Sequence, residues 1–140
     1  MTEILLAEDN PADVYLIREA LKEHHVECQI RVASDGQDVL QIIAGAAPQP
    51  AAGRFHLIIL DLNLPRHDGI EILQRLKENT RMANIPVVVL TSSDSPRDQL
   101  MANQLGATRY MRKPSSLEQF LGLGAVFKDL LQESQPSPAE

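Results

Sequence analysis

Four short, apolar, strand-like runs in this chain each end on a side chain that carries chemistry. Ile4-Leu5-Leu6-Ala7 leads to Glu8-Asp9, and Leu57-Ile58-Ile59-Leu60 leads to Asp61. Pro86-Val87-Val88-Val89-Leu90 leads to Thr91, and Tyr110-Met111-Arg112 leads to Lys113-Pro114. Near-continuous apolar runs of this length are the pattern of strands covered on both faces of a parallel sheet. In such a sheet, ligands bind beyond the carboxyl ends of the strands. If the four runs are parallel neighbours, three carboxylates, one hydroxyl and one lysine converge at one edge. Those groups suit a divalent cation beside a phosphate.

The rest of the chain alternates with these runs. Strands are expected at residues 3–8, 28–33, 56–61, 86–91 and 108–112. Helices are expected at 11–24, 36–45, 69–79, 96–105 and 117–132, with apolar residues such as Val14, Ile17 and Leu21 at helical spacing. Asn10-Pro11 and Ser95-Pro96 mark helix starts and Gly106 a helix stop. The Pro/Gly/Ala-rich stretch 45–54 reads as a flexible insertion, since the alternation resumes directly after it. Right-handed crossovers place helices on both faces of the sheet. The expected fold is therefore α/β: a doubly wound, five-stranded parallel sheet of the flavodoxin-like (βα)5 type, with strand order 2-1-3-4-5. One domain over 1–133 is expected, followed by a disordered tail at 134–140 (Ser-Gln-Pro-Ser-Pro-Ala-Glu).

Composition narrows the function. A formal charge of −6 argues against non-specific nucleic-acid binding, because no basic excess offsets phosphate repulsion. No apolar run approaches the ~18 residues of a membrane span, and the N-terminus carries no signal-peptide pattern. Cys28 is the only cysteine, which rules out an intrachain disulfide and reads as a buried structural thiol. A cytoplasmic setting is the expectation.

Glu8, Asp9 and Asp61 at one switch point would repel one another and raise each other's pKa unless a cation sits among them. Mg2+ is the expected ion, since it uses one or two carboxylates and keeps waters and phosphate oxygens in its shell. Lys113 precedes a proline, which can form a cis bond that aims the preceding side chain, although trans is the usual state. Thr91, with Ser92 and Ser93 beside it, offers a hydroxyl donor or a helix-capping turn.

With Asp61 inside Leu-Asp-Leu-Asn-Leu-Pro-Arg-His-Asp-Gly, and with Glu8-Asp9, Thr91-Ser92 and Tyr110 to Pro114 in order, residues 3–132 resemble the receiver domain of two-component response regulators. The stretch Glu8 to Val14 is similar to the single-domain receivers that serve bacterial phytochrome histidine kinases. The resemblance implies that Asp61 accepts a phosphoryl group from a kinase phosphohistidine. It implies Mg2+ on Asp9 and Asp61, with Glu8 contributing through a water and Asn63 through its backbone carbonyl. Thr91 and Lys113 would contact phosphoryl oxygens, and Tyr110 would swing inward behind Thr91 as a switch. Asn63 and Ser93 flank the place of an attacking water and should influence phosphoryl lifetime.

The implied protein is a stand-alone phosphoacceptor and not a turnover enzyme, because the last expected helix is followed by seven residues and no output domain. Its implied partners are a sensor histidine kinase, a phosphotransfer protein and a second copy of the chain. That copy would meet it through the face of helix four, strand five and helix five. The stretch Phe120 to Phe127, with two glycines inside a helix, reads as core packing or as part of such a dimer face.

Some positions depart from the family pattern or carry no role. Glu8 replaces the commoner Asp, and His67 stands where an apolar residue is usual. His67 reads as an exposed loop histidine, with tuning of the site as the alternative. His24 and His25 are adjacent, so they cannot share a helix face as metal ligands, and His56 is assigned no function. A phosphohydrolase with an Asp nucleophile would need a general acid two residues on, where Asn63 stands. A phosphate-independent interaction module would be expected to lack the acceptor, the acidic pair or the lysine.

Overall fold

Helix caps and strand ends divide the chain where its polar punctuation stands. The computed structural model describes residues 2–133. The tail expected to be disordered, 134–140, lies outside the described residues. The elements run β1 (Thr2–Ala7), α1 (Pro11–Glu23), β2 (Cys28–Ala33), α2 (Gly36–Ala44) and β3 (Leu57–Leu60). They continue with α3 (Gly69–Glu78), β4 (Val87–Thr91), α4 (Pro96–Gln104), β5 (Arg109–Arg112) and α5 (Leu117–Glu133). The sheet is parallel throughout, in the order β2-β1-β3-β4-β5. This is the expected topology.

Residues of β1, β3 and β4 point alternately to two cores. Leu5, Ile58 and Val89 join Val39, Ile42, Leu73 and Leu76 on the side of α2 and α3. Ile4, Ile59 and Val88 join Ile17, Leu21, Phe120 and Phe127 on the side of α1 and α5. Covering both faces is what makes the central strands apolar without interruption.

Asn10 caps α1: its side chain accepts from the backbone N–H of Ala12 at 2.9 Å, and Pro11 takes the first helical position. Asp13 is thereby fixed in the first turn. At the other end of the chain, Gly124 permits α5 to cross α1 closely. A Cβ there would collide with the Ala20 carbonyl oxygen and the His24 ring. Phe120, Leu123 and Phe127 are buried, in keeping with the core-packing reading of the stretch Phe120 to Phe127. Gly122 faces open space.

Two expectations change, and His56 gains a structural part. Segment 45–54 is tied down: Arg31 donates to the Pro48 carbonyl at 3.0 Å, Gln49 to the Ile42 carbonyl at 3.3 Å, and Arg81 to Gln49 at 3.4 Å. It is a loop latched across the C-terminal end of α2 and not a free insertion. His67 is half-buried, and its Nε2 lies 3.2 Å from Gln37 Oε1, within hydrogen-bond distance. A Cβ on Gly36 would lie 2.5 Å from the His67 Cβ, so the β3–α3 loop seats on the first turn of α2 because residue 36 has no side chain. His56, given no function, extends the β1–β3 ladder: its Nδ1 accepts from the Glu3 N–H at 3.0 Å while its own N–H donates to the Glu3 carbonyl at 2.8 Å.

Candidate functional site

Adjacent parallel strands end together, and that brings the polar residues after β1, β3, β4 and β5 to one edge. Ligand atoms of Glu8, Asp9 and Asp61 all lie within 4.8 Å of one another. Lys113, arriving from the end of β5, reaches back over the strand ends. Its Nζ is 2.8 Å from Glu8 Oε1, 2.9 Å from Asp61 Oδ2 and 2.8 Å from Asp13 Oδ2. The Lys113–Pro114 bond is trans.

Burial makes these charges matter. Glu8 and Asp61 have 2% and 4% of their side chains exposed, while Asp9 is open to solvent. Burial, reinforced by the neighbouring Asp61 charge, pushes the Glu8 carboxyl up to about 7 against the pull of Lys113. Asp61 behaves differently from the expectation that the acids raise one another. Burial raises it too, but the Asn63 N–H, 2.9 Å from Oδ1, together with Lys113 and Thr91, holds it below its ordinary value. Lys113 is raised: burial opposes its charge, and its three carboxylate partners outweigh burial. Asp61 is thus kept as an anion, while burial, more than its acidic neighbour, favours the protonated form of Glu8.

The carboxylate set fits a hard cation. Two oxygens on one Mg2+ are at most about 4.2 Å apart, given bonds of about 2.1 Å. A cluster spanning up to 4.8 Å therefore accommodates such an ion with a small closure or with one carboxylate acting through water.

Thr91, at the end of β4, is fully buried, and its Oγ1 accepts from the Asn63 side chain and from the Ser93 N–H, both at 3.2 Å. Asn63 also reaches Ser92 Oγ at 3.4 Å. Tyr110 is half-buried on β5 and donates its hydroxyl to the Ser93 carbonyl at 3.4 Å, which links β5 to the loop before α4. Ser93 Oγ donates to Asp98 at 2.9 Å, so that loop is held at both ends. Glu8, Asp9, Asp61, Asn63, Thr91 and Lys113 come together; Tyr110 stands behind them. The residue that the pattern did not single out is Asp13. Its signal was available, since a first-turn acid after Asn10-Pro11 starts beside the Glu8-Asp9 strand end, but pairing with Lys113 spans 100 residues.

The sequence model of the response regulator receiver domain family matches residues 4–123. Response regulator Rcp1 from Synechocystis sp. is 32% identical over 136 residues, covering 97% of this chain and 92% of Rcp1. The crystal structure of the phosphorylated cyanobacterial phytochrome response regulator RcpA superposes with a TM-score of 0.86 at 32% identity, over 98% of each chain. The Mn2+-bound form of Rcp1 gives 0.83 at 31% identity, over 99% of each chain. Other curated relatives are longer, and the chain spans 46% of two of them.

Proposed function

The chain belongs to the response regulator receiver domain family, and from that premise we propose that it takes a phosphoryl group from a histidine kinase onto Asp61 in a Mg2+-dependent reaction. The observation that carries this reading is the meeting of Glu8, Asp9, Asp61 and Lys113 at the ends of β1, β3 and β5.

The Asp61 carboxylate attacks the phosphorus of the phosphohistidine. An O–P bond forms as the P–N bond breaks, and the departing electron pair returns to the imidazole nitrogen. Bound Mg2+ would offset negative charge on the phosphoryl oxygens, held by Asp9 and Asp61, by Glu8 through a water and by the Asn63 backbone carbonyl. Lys113 supplies a second positive charge within reach of Asp61. Thr91, whose Oγ1 accepts from Asn63, donates its hydroxyl hydrogen to a phosphoryl oxygen, and Tyr110 moves with the Ser93 loop. The face of α4, β5 and α5 then differs between the two states, which is the switch. Asn63 and Ser93 bear on how long the phosphoryl group lasts.

Likeness to the phytochrome response regulator RcpA supports a phytochrome histidine kinase as the donor. As part of the same proposal, the protein works in the cytoplasm through other proteins, among them a phosphotransfer protein or a second copy met through the α4–β5–α5 face. Among the described residues, no helix is long and apolar enough to cross a membrane.

The test is intact mass after incubation with acetyl phosphate and Mg2+. A hydroxylamine-labile gain of one phosphoryl group, absent in Asp61→Asn and in EDTA, is the expected result. No gain from acetyl phosphate or from a phytochrome kinase would favour a phosphate-independent interaction module.

A further inference from the structure

Lys113 has three N–H donors and no more. Each already faces a carboxylate: Glu8, Asp61 and Asp13, at 2.8, 2.9 and 2.8 Å. Glu8 and Asp61 belong to the cluster suited to a cation, but Asp13 does not. Among the described residues, Lys113 is the only ion-pair partner of Asp13.

A carboxylate in the first turn of a helix is already favoured by the helix N-terminus and needs no cation to be placed there. Asp13 nevertheless turns inward, with 17% of its side chain exposed, and meets an ammonium that is 13% exposed. Its backbone is fixed by the Asn10 cap and by Pro11, so the contact is delivered by a rigid element. The consequence is electrostatic. Lys113 is drawn toward α1, and part of its charge is cancelled by an acid outside the cluster suited to a metal. A phosphoryl group arriving at Asp61 meets a lysine already engaged elsewhere.

We propose that Asp13 is a positioning residue: the resting counter-ion of Lys113, which competes with phosphoryl oxygens for its ammonium and so lowers their hold on the site. This rests on the phosphoacceptor reading of Asp61. Phosphorylation then shifts Lys113 from Asp13 toward the phosphoryl group, so the first turn of α1 loses its inward tie when the site is filled.

Beryllofluoride, which mimics the phosphoryl group on a carboxylate, tests this at saturating Mg2+ with wild type, Asp13→Asn and Asp13→Ala. Both variants are expected to bind it about three- to tenfold more tightly, the scale of one partly exposed ion pair. Their acetyl-phosphate-derived phosphoryl group is expected to last longer. A helix merely weakened by the substitution would bind the mimic less well, so the direction separates positioning from structure. The Lys113 ammonium 15N signal should shift on beryllofluoride addition in wild type and start from a different position in Asp13→Asn. Equal or weaker binding in both variants, with wild type binding normally, overturns the role of Asp13 and leaves Asp61 as acceptor. No binding by any of the three proteins overturns both.

Discussion

The ammonium of Lys113 lies 2.9 Å from Asp61 Oδ2, across 52 residues of sequence, and the same nitrogen lies 2.8 Å from Glu8. Because these partners are nearly out of solvent, each charge leans on the others. Lys113 therefore has a structural task as well as the chemical one proposed for it. Without it, Glu8, Asp13 and Asp61 would be left facing one another.

Removing one partner of a buried ion pair costs more than the pair contributes, because the remaining charge stays desolvated. Lys113→Met is therefore expected to lower the stability of the metal-free protein by about 2–4 kcal/mol. Mg2+ should recover part of the loss, since it compensates the same carboxylates. Urea unfolding in EDTA and in Mg2+ measures both. Equal stability of variant and wild type in EDTA would show that the lysine is not holding the cluster together.

Glu8 gives the site a pH dependence with a definite sign. Its carboxyl stands at about 7 in the folded chain against an ordinary 4.5. Below 4.5 both states hold the proton and Glu8 contributes no slope. Between 4.5 and 7 the unfolded chain releases it while the folded chain keeps it, so the contribution of Glu8 to stability falls as pH rises. Above 7 the penalty levels off, on the order of 3 kcal/mol. Glu8→Gln should remove that slope from denaturation midpoints measured in EDTA, whatever constant offset it adds. A slope unchanged by the substitution would place its source elsewhere.

Asp9 is the exposed member of the acidic cluster, and its side chain makes no hydrogen bond or ion pair among the described residues. Asp9→Asn is expected to weaken Mn2+ or Mg2+ binding by about ten- to a hundredfold, the scale of losing a group that orders a metal site. The stability of the metal-free protein should stay within about 0.5 kcal/mol of wild type, as for surface changes generally. Calorimetric titration with Mn2+ and urea unfolding in EDTA check the two halves. Unchanged metal affinity would move the cation away from Asp9.

The two glycines of α5 predict opposite outcomes. Gly122 has nothing within 4 Å of where a Cβ would sit, so Gly122→Ala should stabilise the protein by about 0.5–1 kcal/mol through helix propensity alone. Gly124→Ala would drive a methyl group into the Ala20 backbone of α1 and should cost about 1–3 kcal/mol. Thermal unfolding of both variants gives the comparison, and gains in both would mean that α1 and α5 do not cross closely at Gly124.

The strand order and most of the site were legible in the residues alone. Apolar runs covered on both faces identify central parallel strands, and whatever follows such a run must emerge at the ligand-binding edge, so Glu8, Asp9, Asp61, Thr91 and Lys113 could be placed together from their positions in the chain. What it left undecided depends on contacts between distant backbones and on side-chain direction, which periodicity does not encode. Asp13 meets Lys113 only because the Asn10 cap orients α1 toward the end of β5. His67 is held in place only because Gly36 leaves room for it, and Gly124 is useful in α5 only because α1 runs against it. Asp61 stays ionised among other acids because a backbone N–H and an ammonium reach it from two directions. A sequence can bring charged groups to one edge of a sheet; which of them share a proton or a hydrogen bond is decided by distances of a few ångströms that only the packed structure fixes.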